Sequence, residues 1–167
     1  MTDFAASQAF PPDSIEAFLR FCEGEWLNLR SQFDLGDEAD GENGDEWHTS
    51  ERGELVVTYL EETGEPGGLS VGPKGSTPRQ LLFAGNGSFR SQGTGSSSEG
   101  SWQLWPDGSL ELVLSNGEAE VRERIWFTKP NLRLRSTVEH HSDGTPGRAS
   151  FSSEIRRVSK PADRPAA

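Results

Sequence analysis

The sequence has little of several residue types that mark common functional sites. Among 167 residues there is one cysteine, Cys22, which excludes an internal disulfide and a cysteine-based zinc cluster. Two of the three histidines, His140 and His141, are adjacent, and neighbouring residues on a strand point to opposite faces, so they do not form a metal-ligand pattern. A Gly-x-Ser-x-Gly nucleophile motif is also missing. We therefore expect no metal and no prosthetic group.

The chain also lacks basic charge and long apolar runs. It has 27 acidic against 16 basic residues, a formal charge of -11, which argues against nucleic acid or an anionic membrane as a partner. No apolar stretch is long enough to span a bilayer, and no basic segment precedes an apolar one at the N-terminus. These features favour a soluble, cytoplasmic protein. The length predicts one domain over residues 1–167, with flexible ends at 1–12 and 159–167.

The hydrophobic pattern predicts one helix followed by strands. Asp13 is expected to cap a short helix whose apolar stripe carries Phe18, Leu19 and Cys22, so Cys22 should be buried and unreactive. From there the period is two, with loops predicted at 34–51, 66–78 and 93–100. The strand candidates are 25–33, 54–60, 79–84, 88–92, 101–105, 109–114, 119–128, 132–140 and 148–158. This pattern favours an all-β fold, an antiparallel up-and-down barrel able to enclose one small ligand, with a sandwich as the alternative.

The most informative stretch is a predicted hairpin with a turn at 128–131. Alternation along its second strand places Arg133 and Arg135 on one face and two leucines on the other. Two arginines spaced in this way lie about 7 Å apart, which suits two carboxylates or phosphates. On an earlier strand Arg30 shares a face with Trp26. Phase alone leaves open which face is inside, and if the leucines point inward these arginines belong to the solvated surface.

Three segments together resemble the S/U-type phycobiliprotein lyases, the CpcS/CpeS chromophore lyase family. They are 18–32, where Trp26 and Arg30 fit a Trp-x-x-x-Arg pattern, 123–135, and the closing segment 149–156. Residues 34–118 match the family pattern poorly, and this leaves the choice of bilin and of target subunit open.

The resemblance implies a lipocalin-like antiparallel barrel with an N-terminal helix. It also implies an enzyme that binds an open-chain tetrapyrrole, a bilin such as phycocyanobilin or phycoerythrobilin, and attaches it through a thioether to a cysteine of an apo-phycobiliprotein. By this analogy Arg30, Arg133 and Arg135 bind the bilin propionates, and Trp26 and Trp126 pack on its conjugated face. Glu154 is the candidate catalytic residue, a carboxylate that keeps the tetrapyrrole protonated.

Two other functions remain open at this stage. One is a non-catalytic bilin chaperone or carrier on the same fold, and the other is a lipocalin-like binder of a different amphipathic acid, such as a fatty acid. The partners implied by the resemblance are the bilin, an apo-phycobiliprotein subunit, and a second lyase subunit in a homodimer or heterodimer.

Overall fold

A computed structural model of the chain describes residues 9–35, 48–61, 66–115 and 117–158. One helix, α1 (Ile15–Phe21), precedes ten strands. The strands are β1 (Gly24–Asp34), β2 (His48–Leu60), β3 (Pro66–Pro73), β4 (Arg79–Ala84), β5 (Ser88–Gly93), β6 (Ser96–Leu104), β7 (Leu110–Ser115), β8 (Ala119–Lys129), β9 (Leu132–His141) and β10 (Pro146–Arg156). In these ranges no helix is long and apolar enough to cross a membrane.

The strands form a closed antiparallel barrel in which each pairs with its neighbours in the sequence. The circle closes where β10 pairs with β1, with Trp26 opposite Arg156 and Arg30 opposite Ser152. The predicted up-and-down barrel is therefore confirmed, and the sandwich alternative is wrong. Closure removes the exposed sheet edges that an open meander of this length would leave.

The structure has one strand more than the nine predicted. The additional strand is β3, in a segment for which the sequence predicted a Gly/Pro-rich loop. Glycine and proline are depleted in strands, but here the glycines allow neighbouring residues to approach the β3 backbone closely. A Cβ on Gly67 would lie 2.5 Å from the Tyr59 hydroxyl, and one on Gly72 would lie 2.8 Å from Pro78 Cα. Two other predicted loops were also too long, because β2 begins at His48 and β6 begins at Ser96.

The helix closes one end of the barrel. Its N-cap is Ser14, whose hydroxyl accepts a hydrogen bond from the Ala17 amide at 3.1 Å, so the predicted cap at Asp13 was displaced by one residue. Phe18 and Leu19 are fully buried, and the Phe18 ring packs edge-on against Phe127 with centroids 5.2 Å apart. The apolar core therefore fills the helix end, and the other end of the barrel is left for polar side chains.

Arg156 ties the helix to the barrel wall. Its guanidinium donates to the backbone carbonyls of Phe21 and Glu23, the latter at 2.7 Å, and lies 4.5 Å from the centroid of the Trp26 ring. Carbonyls at a helix C-terminus lack intrahelical partners, and a cation there also complements the helix dipole. The side chain thus fixes the helix and Trp26 together.

The chain's two ends are only partly described. Pro12 is buried and Phe10 packs against Phe21 with ring centroids 5.9 Å apart, so part of the leader contacts the fold. Residues 1–8 and 159–167 lie outside the described ranges, and the flexible termini stay a prediction.

Gly100 provides a test of the close packing between β6 and β7. A Cβ there would lie 1.8 Å from the Val113 carbonyl oxygen, a backbone atom that cannot move aside alone. We expect Gly100→Ala to lower the free energy of unfolding by about 1–3 kcal/mol, measured by urea denaturation. Gly53→Ala is the control, because its added Cβ meets nothing within 4 Å. Equal midpoints for the two variants would contradict this packing.

Candidate functional site

A buried carboxylate organises the polar half of the barrel interior. Glu154 on β10 is fully buried, and its Oε1 accepts a hydrogen bond from Arg133 Nε at 2.9 Å. Its Oε2 accepts from Arg135 Nη2 and from Asn28 Nδ2, both at 2.9 Å. Registers place the three donors on the strands that flank β10, with Arg133 and Asn28 directly opposite Glu154. Strand alternation therefore brings all four side chains to the same interior point.

The charges in this cluster are strongly coupled. Burial alone would raise the pKa of the Glu154 carboxyl, but the guanidinium charges of Arg133 and Arg135 outweigh burial and hold that pKa below its ordinary value. Glu154 is therefore ionised at neutral pH, and its single negative charge pairs with two arginines. The cluster retains a net positive charge inside the barrel.

Trp26 lies beneath this cluster, between two cations. The Arg133 guanidinium carbon is 4.7 Å from the ring centroid and that of Arg156 is 4.5 Å away, distances at which cation–π attraction is significant. The indole Nε1 donates to the Cys22 carbonyl at 2.9 Å. Burial raises the pKa of the Cys22 thiol, which favours the unreactive protonated form. Trp26 and Cys22 thus form a buried layer that supports the arginines from below.

A cavity opens above the cluster, at the end of the barrel away from the helix. Its volume is about 340 Å³, and Arg30, Arg135, Glu123, Thr137 and Ser152 contribute to its lining. Arg135 Nη1 lies 3.7 Å from Glu123 Oε1, and the Thr137 hydroxyl donates to Glu123 Oε2 at 3.2 Å. In the described part of the chain no carboxylate pairs with Arg30. Among its described lining residues, the cavity thus has Arg30 without a salt bridge and Arg135 shared between two carboxylates, and Arg52, Glu51 and Glu54 at its edge add further charges.

A second, apolar cavity of about 240 Å³ adjoins the first and shares Glu123 and Arg135 with it. Its other lining residues are Val71, Arg79, Leu81, Phe89, Ser91, Leu112, Leu114 and Val121. The two spaces together have a polar wall on β1, β9 and β10 and an apolar wall on β3, β4 and β7. Such an interior suits a flat apolar molecule that carries acidic groups.

The barrel wall has a gap beside the polar cavity. The last β3 residue, Pro73, pairs with Leu55, so in the described ranges the part of β2 before Glu54 pairs with β1 alone. Glu51, Arg52 and Gly53 from this overhanging part line the cavity. In the part of the chain that the structure describes, the cavity is therefore bordered on this side by an unpaired edge of β2.

The structure separates the predicted site residues into three groups. Arg30 and Arg135 line the cavity. Arg133 is 3% exposed, Trp26 1% and Glu154 0%, so these three support the cavity from below and do not line it. The bilin contacts predicted for Arg133 and Trp26 and the catalytic role predicted for Glu154 stay predictions, and the cavity lining does not support a direct contact for any of the three.

Trp126 is placed away from the predicted site. It alternates with the buried Ile125 and Phe127, so it points outward, and its ring centroid lies 6.4 Å from that of Phe151, which is itself exposed. An outward side chain cannot pack on a ligand inside the barrel. Its proposed contact with the bilin is thus wrong on geometric grounds.

Sequence reasoning missed Glu123 as a site residue. It lies in phase with Val121, Ile125 and Phe127 on β8, and a carboxylate on the apolar face of a strand is the signal that could have identified it. Asn28 was also missed, although its position between Trp26 and Arg30 on one strand face carries the same kind of signal.

Comparison with known proteins connects this geometry with a family. Chromophore lyase CpcS/CpeS 1 of Paulinella chromatophora is 42% identical over 163 residues, which cover 96% of this chain and 98% of that protein. The chain belongs to the CpcS/CpeS chromophore lyase family. The family model described as CpeS-like protein matches residues 86–157, a stretch that includes Glu123, Arg133, Arg135 and Glu154. The predicted membership of this family is therefore confirmed.

Two further relatives are consistent with this assignment. Chromophore lyase CpcS/CpeS 2 of a Synechococcus strain is 42% identical over 60 residues, 36% of this chain and 32% of that protein. The solved structure of the S-type phycobiliprotein lyase CPES from Guillardia theta matches with a TM-score of 0.62 over 89% of this chain and 95% of that chain, at 20% identity. The barrel described here therefore has the CPES fold.

The described residues contain no group of three or more His, Cys, Asp or Glu side chains positioned to hold a metal ion. The carboxylates of Glu154 and Glu123 instead contact arginine, asparagine and threonine side chains.

Replacing Glu154 tests the buried cluster. Glu154→Gln would leave Arg133 and Arg135 without their shared counter-charge, so we expect the free energy of unfolding to fall by about 3–5 kcal/mol at pH 7. Because the folded-state pKa of Glu154 is depressed, its contribution is complete above the unfolded value of about 4.3 and is lost as pH falls through the lower folded value. The stability difference between wild type and variant should therefore shrink below about pH 4.3.

Urea denaturation followed by tryptophan fluorescence at a series of pH values measures this difference. Glu99→Gln is the control, because that carboxylate is 73% exposed and pairs only at the surface with Arg90. A difference between wild type and E154Q that stays constant with pH would show that the carboxylate charge does not stabilise the cluster.

Proposed function

We propose that this protein binds a bilin in the adjoining cavities of the barrel and transfers it to a cysteine of an apo-phycobiliprotein. The supporting observation is the amphipathic interior, in which Arg30 and Arg135 face the polar cavity while aliphatic and phenyl side chains line the apolar one. A bilin is a flat conjugated molecule with two propionates, so it matches both walls. The bilin itself is the substrate and not a resident cofactor.

The arginines hold the substrate through its acid groups. Arg135 is presented to the cavity in a fixed orientation, because Glu154 and Glu123 bind its two Nη atoms from either side. A guanidinium fixed in this way loses little further side-chain entropy when it binds a carboxylate. Arg30 adds a second, more exposed donor on the same wall, since Arg30 and Arg135 both pair with Ser152 of β10.

The chemistry is an addition that needs no oxidant. The acceptor cysteine sulfur bonds to the ethylidene carbon of ring A, the carbon–carbon π bond breaks, and the thiol proton is taken up by the tetrapyrrole. No group leaves. The barrel contributes by holding the bilin in one conformation and shielding it from water, which converts a random encounter into an oriented reaction. The gap beside β2 is the route by which the partner's thiol would reach ring A.

Glu123 is the residue we assign to protonation of the tetrapyrrole. It lines both cavities and its side chain is 24% exposed, whereas Glu154 is completely enclosed by its three donors. A carboxylate near the pyrrole nitrogens favours the protonated tetrapyrrole, which makes the ethylidene carbon more electrophilic. Glu154 then acts as a positioning residue that orients Arg135.

The identity of the bilin, the acceptor subunit, an additional lyase subunit and the cytoplasmic location stay predictions. Phycocyanobilin and phycoerythrobilin both fit the chemistry above. An apo-phycobiliprotein subunit is the acceptor that the proposed reaction requires.

The direct test mixes the purified protein with phycocyanobilin or phycoerythrobilin and records absorbance before and after apo-phycobiliprotein is added. We expect a red shift on binding, followed by covalent colour on the acceptor in a denaturing gel. A shift without transfer would favour a carrier, and the absence of a shift with both bilins, together with binding of a fatty acid, would favour a binder of another amphipathic acid.

Replacing Glu123 tests its proposed role. We expect Glu123→Gln to slow covalent transfer by about 100-fold or more, the usual contribution of a positioned general acid. The absorbance maximum of the bound bilin should also move towards that of the unprotonated form. Glu120→Gln is the matched control, because Glu120 lies three residues before Glu123 on the same strand, on the opposite face, and pairs with Arg122 at the surface. Unchanged transfer and an unchanged spectrum in E123Q would refute the assignment.

The single cysteine of the chain should not take part in the reaction. Cys22 is 1% exposed and lies beneath Trp26, outside both cavities. We expect Cys22→Ser to transfer bilin at a rate within about twofold of wild type, measured in the same assay at a temperature where both remain folded. Loss of transfer in a folded C22S protein would show that the lyase itself supplies a thiol.

A further inference from the structure

Arg79, at the start of β4, is one of the described arginines that form no salt bridge, and it is the one whose side chain lines the apolar cavity. Across the described ranges, salt bridges to carboxylates involve Arg20, Arg90, Arg122, Arg124, Arg133, Arg135 and Arg157. Arg79 is not among them, although acidic residues outnumber basic ones by 27 to 16. Its described hydrogen-bond partners are two neutral hydroxyls, Ser91 Oγ at 2.5 Å and Ser96 Oγ at 3.2 Å.

Gly93 lies next to this guanidinium and leaves space for it. A Cβ on Gly93 would lie 2.3 Å from Arg79 Nη1 and 3.1 Å from its Cζ, so only glycine leaves space for the side chain as it is placed. Gly93 is the last residue of β5 and pairs with Ser96 on β6. The two serine hydroxyls accept hydrogen bonds from the guanidinium, and the glycine leaves room for it beside the β5–β6 hairpin.

Arg79 lines the apolar cavity together with Arg135 and Glu123. Leu81 and Phe89 line the same cavity, and apolar surroundings strengthen electrostatic attraction there. Two hydroxyl groups satisfy some of its donors but do not neutralise its charge. A half-buried cation that forms no salt bridge in the described structure and lines a cavity is suited to bind an anionic group of a ligand.

We propose that Arg79 is a second carboxylate-binding position of the substrate site, on the wall opposite Arg30. This rests on the function proposed above. One propionate of the bilin binds Arg79 at the β4–β5–β6 wall, and the other binds Arg30 and Arg135 at the β1–β9 wall. The site thereby selects a dicarboxylate whose two acid groups reach different strands, which distinguishes a bilin from a monocarboxylic fatty acid.

Two variants remove this contact in different ways. Arg79→Gln deletes the charge, and Gly93→Ala keeps the charge but displaces the guanidinium, because the new Cβ occupies its place. Each should weaken phycocyanobilin binding by about 10- to 100-fold in an absorbance titration, as expected for one charge-assisted contact. In the double variant the losses should not add, since both act on the same side chain.

Arg90→Gln is the control, because Arg90 is on the neighbouring strand, points outward and pairs with Glu99 at 3.1 Å. Its bilin affinity should stay within about twofold of wild type. Circular dichroism and urea midpoints of all variants verify that they are folded.

The decisive comparison uses the dimethyl ester of phycocyanobilin, in which neither propionate carries a charge. We expect wild type and R79Q to bind this diester with equal affinity, while they differ for the diacid. If R79Q loses diester and diacid affinity equally, Arg79 acts through packing and the proposal is wrong. It is also wrong if R79Q and G93A bind the diacid as wild type does.

These outcomes are separable from failure of the proposed function. If the wild-type protein binds and transfers the bilin and R79Q does so equally well, only the proposed role of Arg79 is overturned. If the wild-type protein shows no spectral shift with any bilin, the proposed function is overturned, and the proposed role of Arg79 is overturned as well.

Discussion

The interior of this barrel depends on the ionised carboxylate of Glu154. Removing a charge from water costs several kcal/mol, and here the cost is offset because three donors from two flanking strands converge on its two oxygens. Two of these donors are arginines that would themselves be unfavourable in this position without the carboxylate. The cluster thus fixes the relative positions of β1, β9 and β10, and it determines which face of β9 can be inside.

That constraint divides the barrel into two ends with different roles. At the helix end, Phe18, Leu19 and Phe127 fill the interior, and Arg156 anchors the helix to Trp26. At the other end, side chains are smaller or charged, and space remains between them. The functional side chains are accordingly mounted on a rigid base, as expected where a reaction relies on positioning.

How far the sequence predicted this arrangement depended on the kind of signal. The antiparallel barrel followed from period-two segments joined by short turns, and the resemblance placed Arg30 and Arg135 at the ligand site, where the structure has them lining the cavity. Strand β3 was missed because local propensity opposes a strand at its glycines, and only close contacts with Tyr59 and Pro78 explain them.

Depth within the site was not predictable either. Alternation separates the two faces of a strand, but it does not distinguish Arg133, which lies under the cavity floor, from Arg135, which faces the cavity two residues later. That difference arises from the position of each residue along the barrel axis relative to the helix. Trp126 was misplaced for a simpler reason, since its aromatic character suggested a ligand contact although its phase matched outward-facing arginines.

The unneutralised arginines of the cavity have a kinetic consequence in a chain whose overall charge is -11. At a distance, a dianionic tetrapyrrole meets the repulsive field of the whole protein. Within a few ångströms of Arg30 and the half-buried Arg79, which form no salt bridge in the described ranges, it meets attraction. Dissolved salt screens the distant field over about 8 Å at physiological ionic strength, and it affects buried contacts much less. Added salt should therefore raise the association rate of the pigment more than it raises the dissociation rate.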